Sequence, residues 1–314
     1  MRVLIIGFGH LGYRHAQGVQ KYLRSSKGLL DIFDINDKFW LAHNSEFKDS
    51  NINFLPSIPK FQNYDLAIVA TNSIDRLEAV KNILHENKVK TFILEKFLFN
   101  NLNDYSEMNN LINAHKLKVF VNTPFRFYSF YQFIDKYLFD KKLSIVEMNV
   151  CGNANLGIGC NSIHYVNILK SLTGYPLTEV NTYGLKEVFK SKRAGYYEFL
   201  GKMKFYFNEI ILKIWTDSSQ NDFIVNFLLS NGTKINFSET TGGVNINGID
   251  EIKRFPCEFQ SELTALYLYN INKKKNLLLP SYEQIKDEHI TILSALQTGG
   301  KLLMRDKHAN INIT

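Results

Sequence analysis

The stretch RVLIIGFGHLG, residues 2–12, sets an apolar run directly before three closely spaced glycines. Unbroken apolar residues without alternation are the pattern of a strand buried on both faces. Gly7, Gly9 and Gly12 follow in the spacing GxGxxG, and LGYRHAQGVQKYLRS (11–25) then reads as a helix. Strand, glycine turn and helix N-terminus form the context in which this spacing marks a dinucleotide-binding turn. Gly7 permits the tight turn, Gly9 admits a pyrophosphate close to the backbone, and Gly12 allows close helix–strand packing. The helix start supplies amide donors for phosphate. Phe8, His10 and Leu11, between the glycines, join the candidate cofactor contacts, His10 as a variable loop position and not a catalyst.

The next buried-strand pattern, GLLDIFDIN (28–36), carries Asp34 at its end, with Ile35 beside it. A carboxylate there accepts both hydroxyls of an adenosine ribose and repels a 2′-phosphate. NAD is therefore expected over NADP; the other reading of Asp34 is a loop cap.

Outward from this unit, strand and helix patterns keep alternating. YDLAIVAT (64–71), VKTFILEK (89–96) and VFVNT (119–123) read as strands. SIDRLEAVKNILHENK (73–88) and NDYSEMNNLINAHKLK (103–118) read as helices, the latter capped by Asn103 or Asp104. Repeated β–α–β with short loops predicts an α/β, doubly wound parallel sheet over residues 1–122. After Thr123 long strands dominate: 144–152, 179–189, 198–208, 209–218, 222–231 and 232–240. Turn signals such as Ser230-Asn231-Gly232 make that sheet mainly antiparallel. One helix, Asn161 to Leu172, interrupts the strands, and two more are expected near 259–273 and 281–304. Residues 123–314 are thus expected to form one α+β domain with a large open sheet.

Composition narrows the class. Hydrophobic residues are 45% and charged residues 21% of 314, as in a globular protein, and no apolar stretch is long enough to span a bilayer. The opening apolar run is too short for a signal peptide, so a cytoplasmic protein is expected. Three cysteines, Cys151, Cys160 and Cys257, include no CxxC pair, which argues against a disulfide framework or a cysteine zinc site. The net charge of +7 is spread as scattered Lys, and no nucleic-acid recognition motif accompanies it.

GFGHLGYRHA, VATNS, ILEKF, VNTPFRF and GCNSIHYVN occur in an order that resembles the Gfo/Idh/MocA (glucose–fructose oxidoreductase / inositol dehydrogenase) family. The resemblance covers most of the chain, and the first 170 residues carry its specific motifs. It implies a nicotinamide-binding Rossmann domain and a second domain whose open sheet forms a homodimer or homotetramer. The family motif EKP matches Glu95-Lys96, with Phe97 in the Pro position. It places Lys96 beside the nicotinamide and the substrate hydroxyl, where an ammonium stabilises developing negative charge. Read from the residues alone, a lysine at a strand's C-terminal end faces the ligand crevice of such a sheet; the other reading of Lys96 is a solvent-facing loop lysine paired with Glu95. The resemblance also implies that Thr71 and Asn72 line the dinucleotide and that Asn122 approaches the nicotinamide. The family often has His where Arg76 stands, and no role carries over to Arg76. Arg126 has two readings, orienting an anionic or polyhydroxylated substrate or forming an interdomain salt bridge.

On the helix of GCNSIHYVN the family pattern is Asp-x-Gly-x-His, often continued to a later Asp. His164 matches the His, Cys160 stands at the Asp, Ser162 at the Gly and Asn167 at the later Asp. Positions 160, 161 and 164 share one helix face. Hydride removal from a carbinol requires a group that takes the hydroxyl proton, and imidazole suits that near neutrality. His164 is the candidate acid–base, with Asn161 and Cys160 shaping the substrate side; a structural histidine is the alternative. No metal is expected, because Cys160 and His164 supply only two ligands. The resulting expectation is an NAD-dependent oxidoreductase that interconverts a secondary alcohol and a ketone on a sugar. A redox-neutral enzyme with tightly held NAD and a redox-silent regulator are the alternatives.

Overall fold

The computed structural model describes the backbone of residues 1–314 and the side chains of all but residues 249–253. It divides into two compact units, Met1–Asn122 with Glu258–Lys286, and Thr123–Cys257 with Asp287–Thr314.

In the first unit, β1 (Arg2–Ile6), β2 (Leu29–Phe33), β3 (Ile52–Phe54), β5 (Leu66–Val69), β7 (Thr91–Leu94) and β8 (Lys118–Val121) form a parallel sheet. Its order is β3-β2-β1-β5-β7-β8, and a small β4 (Asn63–Tyr64) and β6 (Lys88–Val89) pair lies apart from it. The order reverses beside β1, the topological switch point where open α/β sheets bind ligands. Val3, Leu4, Ile5, Leu66, Ala67, Ile68, Phe92, Ile93 and Leu94 are all fully buried, as an unalternating apolar run requires. Helices α1 (His10–Leu23), α2 (Lys38–His43), α3 (Arg76–Glu86) and α4 (Leu102–His115) complete the doubly wound pattern. The cap of α4 is Asn101, whose side chain accepts from the Asn103 amide at 3.0 Å, and not Asn103 or Asp104.

The second unit holds an eight-stranded sheet in the order β10-β11-β12-β9-β13-β14-β15-β16. Its strands are β9 (Ile145–Gly152), β10 (Glu179–Lys190), β11 (Tyr197–Phe207), β12 (Ile210–Thr216), β13 (Ile224–Leu229), β14 (Lys234–Ser238), β15 (Gly243–Ile246) and β16 (Ile249–Arg254). Only β12 and β9 run parallel; the other pairs are antiparallel. Alternation puts Met203, Phe205 and Phe207 of β11 inward, while Lys202, Lys204 and Tyr206 turn outward. Helix α6 (Ile158–Thr173) covers β11 and β12. Helix α5 (Ser129–Lys141), which the sequence reading did not anticipate, stacks Phe130 on Phe237 with ring centroids 3.7 Å apart. Its buried Phe130, Tyr131, Ile134 and Leu138 do carry a helical spacing.

The expected assignment of 123–314 to one domain is corrected for residues 258–286, which belong to the first unit. Helix α7 (Gln260–Asn272) buries Leu263, Thr264, Tyr267 and Leu268. It meets α1 so closely that a Cβ on Gly18 would lie 2.3 Å from the Ser261 carbonyl. Helix α8 (Tyr282–Met304) begins in the first unit and continues into the second.

Candidate functional site

In the first unit Gly7 holds φ +91°, and a Cβ there would lie 2.8 Å from the Ala70 carbonyl carbon. A Cβ on Gly12 would lie 1.9 Å from the Gly7 oxygen, so β1, β5 and α1 meet with no room for a side chain. Gly9, the N-cap of α1, differs: nothing lies within 4 Å of its Cβ position. Beside Gly7, the buried Thr71 Oγ1 has no hydrogen-bond partner. An open glycine, a helix N-terminus and an orphan hydroxyl fit the phosphates of a dinucleotide.

Asp34 is half-buried just past β2. Its carboxylate accepts the Phe8 amide and, at 2.7 Å, the Asn36 amide, which ties it to the glycine turn. Only these acceptor positions are engaged by those bonds, and a carboxylate has about four. Ile35 beside it is 93% exposed. The Phe8 ring is fully buried, 5.4 Å from Trp40 and 5.8 Å from Phe47, so Phe8 offers this edge its backbone and not its ring. The His10 ring is exposed and packs on Phe39 at 4.9 Å, and Leu11 is half-buried. Asn72 is exposed on the loop after β5.

Glu95 and Asn122 carry a buried polar network that the sequence reading did not contain. Glu95 Oε1 lies 2.8 Å from His15 Nε2 and accepts from Asn122 Nδ2 at 2.6 Å. His15 Nδ1 lies 2.8 Å from Thr264 Oγ1. Asn122 Nδ2 also donates to Gln260 Oε1 at 2.9 Å, and Tyr267 donates to Asn122 Oδ1 at 3.1 Å. The Asn122 amide is thus engaged at both ends and 3% exposed. The hint for His15 was its place on the buried α1 stripe Gly12, His15, Ala16 and Val19; nothing local marked Gln260, Thr264 or Tyr267 as its neighbours. Lys96 follows, half-buried, and the Lys96–Phe97 peptide bond is cis. The Phe97 ring is fully buried.

In the second unit α6 starts at Ile158, three residues before the expected Asn161. Its entry is closed by a carboxylate from another element. Glu198 of β11 accepts the Gly159 amide at 2.8 Å and the Cys160 amide at 2.9 Å. A negative charge at a helix N-terminus satisfies orphan donors and complements the helix dipole. Asn161 Nδ2 donates to the Leu156 carbonyl at 2.7 Å. Cys160, Asn161 and His164 are all half-exposed. The His164 ring stacks on Phe125, with centroids 5.0 Å apart and planes at 22°. Asn167 is buried and accepts from Thr123 Oγ1 at 3.3 Å. Arg126 lies half-exposed in the 3-10 turn Pro124–Phe127.

Beneath that stack, Glu239 accepts from Tyr165 at 2.8 Å and Tyr131 at 3.2 Å. Burial, opposed by the two tyrosine hydrogen bonds and aided by the charge of Asp222, raises its carboxyl from 4.5 to about 7. Burial also drives both tyrosine hydroxyls well above their ordinary range. Among the described residues no group of three or more His, Cys, Asp or Glu is placed to hold a metal ion. None of the described helices is long and apolar enough to cross a membrane.

No family model matches the sequence, and no curated protein matches it. Solved structures do match over nearly the whole chain. The WlbA dehydrogenase from Bordetella pertussis, in complex with NADH and UDP-GlcNAcA, is 14% identical with TM-score 0.72, covering 96% of this chain and 95% of that one. The myo-inositol 2-dehydrogenase from Lactobacillus plantarum is 15% identical with TM-score 0.68, covering 96% and 97%. A super-repressor mutant of Gal80p from Saccharomyces cerevisiae is 12% identical with TM-score 0.68, covering 96% of each chain.

Proposed function

We infer that the chain is a Gfo/Idh/MocA-like protein, because its two sheets, one parallel and of dinucleotide-binding type and one large and mainly antiparallel, are those the resemblance implies. We propose that the chain is an NAD-dependent oxidoreductase that interconverts a secondary alcohol and a ketone on a sugar or sugar derivative. The observation that carries this reading is the glycine cradle, with Gly9 open, Thr71 Oγ1 unpartnered and Asp34 braced beside it. Gly9 and Thr71 would hold the phosphates, with Gly7 shaping the turn and Gly12 the close packing behind it, and Asp34 would hold the adenosine ribose. When bound, the nicotinamide supplies or accepts hydride. Lys96 polarises the reacting oxygen, His164 exchanges the hydroxyl proton, and Asn161 and Arg126 orient the substrate. A nucleotide-activated sugar is the favoured substrate class, supported by the WlbA complex with UDP-GlcNAcA. The open sheet is assigned as the face of a homodimer or homotetramer, and the protein as cytoplasmic.

Purified protein incubated with NAD(H) and a panel of free and nucleotide-activated sugars tests the reading. Turnover that disappears in Lys96→Ala, with NADH binding retained, is the expected result. Unchanged turnover in that variant rejects the role given to Lys96. The likeness to a repressor form of Gal80p favours one second reading, a dinucleotide-binding regulator. That protein would bind NADH and turn over no sugar of the panel.

A further inference from the structure

Arg76 opens α3 and is 1% exposed, an environment in which a guanidinium depends on hydrogen bonds to protein acceptors. Its Nη1 donates to the Phe97 carbonyl and, at 2.9 Å, to the Leu98 carbonyl, while Nη2 donates to the Thr71 carbonyl. One rigid, planar group therefore binds two loops at once. The first follows β5 and carries Thr71 and Asn72; the second follows β7 and carries Lys96. A second buried bond joins the same loops, from Asn100 Nδ2 to Ser73 Oγ at 2.6 Å. On its other side Lys96 adjoins Glu95, held by His15 and Asn122. A proline after Lys96 would restrict φ through its ring; Phe97 lacks that constraint, so hydrogen bonds must hold the turn.

We propose that Arg76 is a positioning residue, whose guanidinium fork fixes Lys96 and the Thr71–Asn72 loop as one rigid edge of the first unit. The proposal rests on the roles given above to Lys96 and to the Thr71 loop. Lysine at this position would keep the charge and lose the fork, which separates the two contributions.

Hydrogen exchange read by mass spectrometry on the full chain, without substrate, provides the test. In Arg76→Lys, amides in both 70–74 and 95–100 should exchange about tenfold faster, as when one local hydrogen-bonded constraint is lost. NADH affinity should weaken with them, while peptides of the second unit stay unchanged. Acceleration confined to α3, or absent, overturns the proposal. Should Arg76→Lys fail to fold, Ser73→Ala takes its place: faster exchange across 95–100 supports the coupling, and unchanged exchange rejects it. In the active enzyme kcat should fall about tenfold with the sugar KM nearly unchanged, the split of an interaction made in the transition state. Because exchange needs no turnover, a chain inactive on every sugar leaves this test intact. Unchanged exchange in a turning-over enzyme removes Arg76 alone.

Discussion

Nε2 of His15 lies 2.8 Å from Oε1 of Glu95, and neither side chain is more than 3% exposed. This pair joins α1 to the end of β7, one residue before Lys96. Removing one partner leaves the other buried and without its hydrogen bond, at a cost of about 1–3 kcal/mol. Glu95→Ala should therefore lose stability on that scale in urea unfolding. Glu95→Gln, which keeps an acceptor for both His15 and Asn122, should lose clearly less. Equal losses in the two variants would refute the pairing.

Gly9 and Gly12 sit three residues apart and should respond in opposite ways to alanine. Gly12→Ala forces a Cβ onto the Gly7 carbonyl and should cost about 3 kcal/mol, as overpacking does. Gly9→Ala meets open space, so stability should change by less than about 0.5 kcal/mol. Its effect should appear in NADH titration, because the methyl group occupies the approach to the helix N-terminus. Full NADH affinity in Gly9→Ala would move the phosphates elsewhere.

Asp34 braces the Phe8 and Asn36 amides and is also the assigned ribose ligand. Asp34→Ala should weaken NADH and strengthen NADPH. A shift in their affinity ratio of at least about tenfold corresponds to 1.4 kcal/mol. Fluorescence titration with both nucleotides measures it. An unmoved ratio would leave Asp34 as a loop brace only.

Glu198 supplies the carboxylate at the entry of α6. Glu198→Ala should cost about 0.5–2 kcal/mol, the range for losing a helix cap. Calorimetry on Glu198→Ala and Glu198→Gln should show the larger loss in Ala. A melting temperature that moves in neither variant would show that other groups satisfy the Gly159 and Cys160 amides.

Glu239 carries a pH signature. Its folded pKa, raised to about 7, lies above the ordinary 4.5. Between those values the folded chain retains a proton that the unfolded chain has released. This contribution to stability is present below pH 4.5, falls as pH rises to about 7, and is level above. Glu239→Gln should flatten that slope in denaturant midpoints measured from pH 4 to about 8. Asp222, Tyr131 and Tyr165 face the group and remain in both proteins. Identical slopes would show that Glu239 titrates alike in the folded and unfolded chain.

Much of the fold is legible in the linear order of residues, because periodicity and punctuation are local. The run Arg2–Ile6, the spacing of Gly7, Gly9 and Gly12, and the switch to long alternating strands after Thr123 follow from steric and burial rules within about ten residues. Even the helix bearing His164 lies close to its expected bounds. Partners separated by long stretches of chain are decided only by the tertiary structure. Thr264 lies 249 residues from His15, and Tyr267 lies 145 from Asn122, yet both complete the network behind Lys96. The carboxylate absent from α6 itself arrives from Glu198, 38 residues beyond Cys160. Buried polar groups must find partners wherever packing brings a donor to an acceptor, and sequence spacing does not encode that meeting. The cradle could be read from the sequence; what holds its lysine edge in place could not.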